Sequence, residues 1–166
     1  MNARAVTLTV SEEPIASSDV RRLFEELDSY LNELYPPEEN FLDLPASDVE
    51  GRSGILLVAR DGGEAVGCGA VRLLSEDTGE IKRMYVSPGA RGRRIGRRIL
   101  NELEDWARTA GVSRLVLETG EMQHVAIDLY ESAGFRCIPC FGPYVRATRS
   151  ICYEKLLDLE PQGLST

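Results

Sequence analysis

The chain has 166 residues, 43% of them hydrophobic and 28% charged, which supports a hydrophobic core and excludes both wholesale disorder and a membrane-embedded chain. Nineteen basic residues against 27 acidic ones give a net charge of −8, so the surface as a whole repels nucleic acid and anionic lipid. No basic region followed by an apolar one opens the chain, and apolar runs such as Gly54 to Ala59 are far too short to span a bilayer, so a cytoplasmic protein is expected.

The first predicted element is a strand over Ala5 to Val10, with Val6, Leu8 and Val10 on one face. Ser17 or Ser18 then caps a helix in which Val20, Leu23, Phe24, Leu27, Leu31 and Leu34 recur at helical spacing, and Pro36-Pro37 ends it. Glu38 to Ser53 reads as a long loop, and such loops tend to carry function. Ile55 to Arg60 and Ala65 to Leu74 form a hairpin about Asp61-Gly62-Gly63, and Asp77-Thr78-Gly79 turns the chain into a third antiparallel strand, Glu80 to Val86.

After Ser87-Pro88-Gly89 the apolar period becomes helical, from Ile95 through Ile99, Leu100, Leu103, Trp106 and Ala107 to Ala110, and Gly111 ends the helix. Leu115-Val116-Leu117 marks a buried strand, and Val125, Ala126, Leu129 and Ala133 mark a further helix that stops at Gly134. Phe135 to Cys137 and Ser150 to Lys155 close the set as strands. Strand, helix, strand, helix in the second half implies a βαβ crossover inside a mixed sheet. One domain over residues 1–166 is expected, with about 159–166 as a frayed tail.

Basic charge is concentrated: Arg91, Arg93, Arg94, Arg97 and Arg98 fall within eight residues, and taking these five from the net −8 leaves −13 for the rest. A strand ending in Met84-Tyr85-Val86 runs into a turn, and the turn opens a helix crowded with arginine and glycine. The first N–H groups of a helix lack intrahelical partners and lie at the positive pole of its dipole, so this turn suits a phosphate or pyrophosphate. Arginines left there without an anion would cost a few tenths to about 1 kcal/mol. A Walker loop would end in Gly-Lys-Ser/Thr, whereas Gly96 is followed by Arg97-Arg98; Gly67-Cys68-Gly69 lacks the third glycine of a dinucleotide fingerprint. Cys137-Ile-Pro-Cys140 lacks the second Cys or His pair of a structural zinc site, so no metal is expected and the four cysteines read as reduced thiols.

Arg91-Gly92-Arg93-Arg94-Ile95-Gly96 resembles the Arg/Gln-x-x-Gly-x-Gly/Ala signature of the GNAT superfamily of acyl-CoA N-acyltransferases, with Arg94 in place of the signature's first glycine. Tyr85-Val86-Ser87-Pro88 is similar to the strand end before that loop. Ala126-Ile127-Asp128-Leu129-Tyr130-Glu131-Ser132-Ala133-Gly134-Phe135 is similar to the family's Ala-x-x-Leu-Tyr-x-x-x-Gly-Phe block. The likeness covers roughly Val66 to Lys155. It implies an α/β fold whose central, mostly antiparallel sheet has two parallel, splayed central strands and flanking helices.

The resemblance further implies acetyl-CoA as cosubstrate and no metal. Backbone groups of Met84, Tyr85 and Val86 would hold the acetyl carbonyl and pantetheine arm, and Arg91, Gly92, Arg93, Arg94, Ile95, Gly96 and Arg97 the pyrophosphate. Gln123 stands where the family often has an asparagine that bonds the pantetheine amides. Tyr130 matches the tyrosine that protonates the departing thiolate, and Glu80 a carboxylate that serves some members as base; a surface glutamate beside the Asp77 turn is the other reading of Glu80. His124 has no motif role and reads as an exposed residue at a helix start.

An alkylammonium has a pKa of about 10.4, roughly 4 kcal/mol away from its free base at neutral pH, so the transfer needs a proton acceptor. A departing thiolate with a pKa of about 8.5 benefits from a nearby acid, and a tyrosine of pKa about 10 arrives protonated. No Cys-His pair is formed by sequence neighbours, and direct attack in a ternary complex is expected. By family architecture Phe41, Arg83 and Tyr144 would border the acceptor. Lys82 and Arg83 lie on opposite strand faces by alternation, so only one should face inward, and an inward cation favours an acceptor with a carboxylate, such as an amino acid. The expected partner is thus a small-molecule amine, with no nucleic acid or membrane and with homodimers common in the family. Acetylation of protein lysines or N-termini, and a noncatalytic CoA-sensing domain on the same fold, are the alternatives.

Overall fold

The computed structural model describes residues 7–159. One seven-stranded sheet organises these residues. Its strands are β1 (Leu8–Glu12), β2 (Gly54–Asp61), β3 (Glu64–Leu73), β4 (Thr78–Val86), β5 (Arg114–Gly120), β6 (Arg136–Ile138) and β7 (Ser150–Leu156), in the spatial order β1-β2-β3-β4-β5-β7-β6. Three helices accompany them: α1 (Ser18–Leu34), α2 (Ile95–Thr109) and α3 (His124–Ser132). Of the first predicted strand, Ala5 and Val6 lie outside the described residues, and β1 begins at Leu8. The expected tail lies outside them from residue 160 on.

Every neighbouring pair is antiparallel except β4 and β5, which the crossover through α2 makes parallel. The β2–β3 hairpin turns through Gly62 and Gly63, both at positive φ (58° and 91°), as a two-residue turn requires. Strand alternation divides the core between the faces. Leu56 and Val58 of β2 pack with Val20, Leu23, Leu27 and Leu31 of α1, whereas Ile55, Leu57 and Ala59 join Ile95, Ile99, Leu103 and Ala107 of α2 and Tyr130 of α3. Ser17 caps α1, its hydroxyl accepting from the Val20 N–H at 3.2 Å. The segment from 38 to 53 is the expected connection between elements, with two short 3-10 turns, and it sends Leu44 and Val49 into the core beside α1.

Two features of the sheet open a site. The parallel pairing of β4 with β5 runs from Thr78–Arg114 to Ile81–Leu117 and stops there, although β4 continues to Val86 and β5 to Gly120. The strands separate beyond that point. Moreover, Cys68 pairs with Tyr85 and Ala70 with Lys82, so Gly69 alone stands opposite Arg83 and Met84, a β-bulge. A Cβ on Gly69 would lie 2.5 Å from the Met84 sulfur, which is why glycine stands across from the extra residue. Arg83 takes φ = 59°, a left-handed conformation costing about 1–2 kcal/mol for a non-glycine. Its guanidinium compensates by pairing with Asp28 and lying 4.4 Å from the centroid of the Phe24 ring.

Candidate active site

The N-terminus of α2 forms one end of a cleft of about 790 Å³. Arg91 ends a short 3-10 turn and donates from Nε to the Val86 carbonyl at 3.1 Å, with its guanidinium 5.8 Å from the Tyr30 ring centroid. Gly92 has φ = 81°, and Arg94 caps the helix at φ = 59°. The first helical backbone bond runs from the Arg98 N–H to the Arg94 carbonyl, so the N–H groups from Gly92 to Arg97 have no backbone acceptor among the described residues. Gly96 faces α3, and a Cβ there would sit 3.4 Å from Leu129. Six free amides, a helix pole and the Arg91, Arg94 and Arg97 side chains on one cleft fit a diphosphate.

The five arginines divide by partner. Arg93 points away to Asp61 at the end of β2, 2.8 Å distant, and Arg98 bonds Glu102 one turn on at 3.0 Å. Arg97 donates to the Ser132 hydroxyl at 3.1 Å and still borders the cleft. Of the residues expected to hold a pyrophosphate, Arg93 therefore offers its backbone N–H, while its guanidinium is engaged elsewhere.

At the other end the cleft runs into a cavity of about 100 Å³, and Leu27, Met84, Gln123, Ala126 and Tyr130 border both. Gln123 precedes α3 without using its side chain as a cap, which leaves the carboxamide free for a ligand. Tyr130 is buried with its ring edge-on to Phe135 at 5.8 Å, and burial pushes its phenol above the usual value, so it stays protonated at neutral pH. His124 is exposed at the first position of α3, and the structure gives it no other role.

Phe41, Arg83 and Tyr144 all border this smaller cavity. Tyr144 holds the wall together, with Phe41 and Phe141 edge-on to it at 4.9 and 5.2 Å. Lys82 borders it too, which corrects the expectation from alternation: the bulge at Arg83 breaks the two-residue period, so neighbouring side chains reach the same cavity. Desolvation lowers the Lys82 pKa, and no carboxylate forms an ion pair with it among the described residues. Glu80 is 1% exposed rather than a surface residue. It accepts from Arg72 Nε at 2.8 Å and from the Tyr144 hydroxyl at 2.6 Å, and it borders neither cavity.

Glu118, near the end of β5, is the titratable group that sequence reasoning passed over. It borders the cavity, accepts from the Ser150 hydroxyl at 3.1 Å, and is pushed up to about 7 by burial, an effect that the Ser150 hydrogen bond and Lys82 oppose. A carboxylate poised near neutrality is suited to take a proton. Its only signal in the sequence is a lone acid closing the apolar run Leu115-Val116-Leu117. Tyr35 and Arg149 also escaped notice. Gly120 leaves room for the Tyr35 ring, since a Cβ there would lie 2.2 Å from its hydroxyl, and that hydroxyl accepts the Met122 N–H at 2.8 Å.

Comparison with known proteins bears on this arrangement directly. Residues 20–135 match the model of the acetyltransferase (GNAT) family. An IAA acetyltransferase of Azospirillum brasilense is 45% identical over 155 residues, 90% of this chain and 98% of that protein. A Klebsiella pneumoniae structure described as an acyl-CoA N-acyltransferase superposes with a TM-score of 0.79 at 35% identity, covering 92% of this chain and 99% of its own. A GNAT acetyltransferase of Elizabethkingia anophelis, solved with acetyl-CoA bound, shares the fold with a TM-score of 0.64 at 20% identity, over 90% of this chain and 98% of its own.

Proposed function

From the premise that the chain belongs to the GNAT family of N-acetyltransferases, we propose that it moves the acetyl group of acetyl-CoA to the primary amine of a small molecule bearing a carboxylate, such as an amino acid. The observation that carries this reading is the continuity of the two cavities. A cradle of free amides and arginines lies at one end, a smaller cavity with a near-neutral carboxylate at the other, and Met84, Gln123 and Tyr130 stand between.

Bound acetyl-CoA would supply the thioester carbonyl that the amine attacks, and the remaining work falls to the chain. The amides from Gly92 to Arg97 with Arg91 and Arg97 bind the diphosphate, and the Gln123 carboxamide together with the freed backbone of Met84 to Val86 orients the arm. Glu118 takes the proton from the incoming ammonium, and Tyr130 holds a proton for the sulfur. Glu80 acts as a positioning residue: Arg72 and Tyr144 occupy its oxygens, so it anchors the pocket wall. Both groups needed for direct attack border one continuous space, which supports a ternary complex.

Three cations favour an acidic acceptor. Among the described residues Lys82 has no ion-pair partner, the Nε of Arg83 is buried with no hydrogen-bond acceptor while its Nη1 pairs with Asp28, and the half-exposed Arg149 reaches only Glu39, at 3.7 Å. Lys82, the desolvated and unpaired one of the three, would be relieved by a ligand carboxylate. The test is coenzyme-dependent thiol release over a panel of amino acids, polyamines, peptide N-termini and IAA, after which the Azospirillum relative is named. Carboxylated amines should turn over fastest, with KM raised in Lys82→Met. Faster acetylation of polyamines or peptides would overturn the acceptor class, and tight CoA binding with no transfer to any amine would favour a sensing domain.

A further inference from the structure

Three of the four cysteines lie on the β6–β7 edge, outside the chemistry described above. Cys137 is exposed on β6, Cys140 is half-buried just beyond it, and Cys152 is fully buried on β7. The Cys140 and Cys152 sulfurs are 2.7 Å apart, well inside the contact distance of two unbonded atoms, and Cys140 also reaches the Ser150 carbonyl at 3.6 Å. We propose that Cys140 and Cys152 are a modification site, forming a reversible intrachain disulfide that ties down the wall of the smaller cavity.

The placement gives the bond a consequence. The eleven residues between the two cysteines include Phe141 and Tyr144, the aromatic wall, and Arg149 and Ser150, the latter bonded to Glu118. Ile138 faces Cys152 across the two strands, and Cys140 lies two residues on, just past the end of β6, where its sulfur reaches that of Cys152. Cys137 pairs instead with Tyr153 and leaves its thiol in solvent.

The reaction balances with a low-molecular-weight disulfide such as glutathione disulfide as oxidant. The half-buried Cys140 thiolate attacks one glutathione sulfur, forming a mixed disulfide and expelling a glutathione thiolate. Cys152 then gives up its proton, its sulfur attacks that of Cys140, and the second glutathione thiolate leaves. Two protein thiols are oxidised and one glutathione disulfide is reduced to two glutathiones. Burial holds the Cys152 thiol protonated well above its ordinary range, which makes Cys140 the attacking group.

The test uses the full chain and a Cys137→Ser variant, equilibrated in glutathione buffers of defined ratio, alkylated and digested without reduction. The mass readout does not depend on which reaction the protein catalyses, so its outcome is separable from the functional reading. Expected are a loss of two hydrogens and a cross-linked peptide joining Cys140 to Cys152 in both proteins, reversed by dithiothreitol and absent in Cys140→Ser. In Cys137→Ser, oxidation should shift the acceptor KM by at least about threefold and leave CoA affinity unchanged. Cross-links through Cys137, or mixed glutathione disulfides only, would overturn the site. A Cys140–Cys152 bond with unaltered acceptor kinetics would overturn its link to the cavity wall.

Discussion

The Tyr144 hydroxyl donates a 2.6 Å hydrogen bond to the buried carboxylate of Glu80, 64 residues earlier in the chain. Glu80 is charge-paired with Arg72, which in turn reaches Asp48 at 3.1 Å, so the late segment, the central strand and the loop before β2 are joined through one acid. Losing Glu80 leaves Arg72 with Asp48 as its remaining partner and strips the Tyr144 hydroxyl of a charged acceptor, at a cost of about 1–3 kcal/mol. Glu80→Gln should therefore lower the denaturant midpoint substantially. Tyr144→Phe should cost about 1–3 kcal/mol and raise the acceptor KM more than it lowers kcat. An unchanged midpoint in Glu80→Gln would show that the network carries no stability.

Glu118 is expected to set the acidic limb of the rate profile. Ionised, it can accept a proton, so kcat/KM should rise with pH through about 7 and level above it. Glu118→Gln should lose about 10²- to 10⁴-fold in kcat and abolish that limb. Steady-state rates between pH 5.5 and 9 decide the matter; a Gln variant that keeps the limb assigns it to another group.

The same carboxyl makes a stability prediction of definite sign. Its folded-state value, about 7, lies above the ordinary 4.5, so between these pH values the folded protein keeps a proton that the unfolded chain has lost. Stability from this group is greatest below about 4.5, falls as pH rises, and is level again above 7. Replacing the acid by Gln removes that loss, so the variant should melt higher than the parent at pH 8 by the equivalent of about 1–3 kcal/mol. Calorimetry at pH 5 and 8 would show the gap widening with pH.

Tyr130→Phe keeps the ring that packs on Phe135 and removes only the hydroxyl. Coenzyme affinity and melting temperature should change little, while kcat falls at least about tenfold for amine acceptors. Equal loss of affinity and kcat would point to a packing role instead.

Arg94 stands in a left-handed conformation where the family signature has glycine. Glycine would relieve about 1–2 kcal/mol of backbone strain and return about 0.5–1 kcal/mol through the freer unfolded chain. Arg94→Gly should thus leave stability equal or slightly raised, and keep the amide in place for the phosphate. A melting temperature several degrees lower would mean that the side chain makes contacts outweighing the strain.

The order of elements, the crossover and the cradle were readable because each is local. Ser17 caps its own helix, Gly111 ends α2, and Arg91 to Gly96 need only the strand before them and the helix after. What escaped depends on register and distance in sequence. Lys82 and Arg83 share a cavity because Gly69, on another strand, faces two residues, and alternation within one strand cannot report that. Arg93 looks like its neighbours until the β2–β3 turn brings Asp61 beside it. Glu118 and Glu80 carry the same functional group and are told apart by their partners: Arg72 and Tyr144 occupy Glu80, the more buried of the two, whereas Glu118 borders the cavity with the Ser150 hydroxyl on it.

The sharpest test concerns that division among the arginines. Isothermal titration of CoA into Arg91→Ala/Arg97→Ala and into Arg93→Ala compares two cleft-facing guanidiniums with one held by Asp61. Charge-assisted hydrogen bonds to phosphate are worth about 1.5–3 kcal/mol each, so the double variant should bind at least about tenfold more weakly, and Arg93→Ala within about twofold of the parent. Undiminished affinity in the double variant would contradict the placement of the diphosphate at the start of α2, and with it the orientation of everything bound beyond.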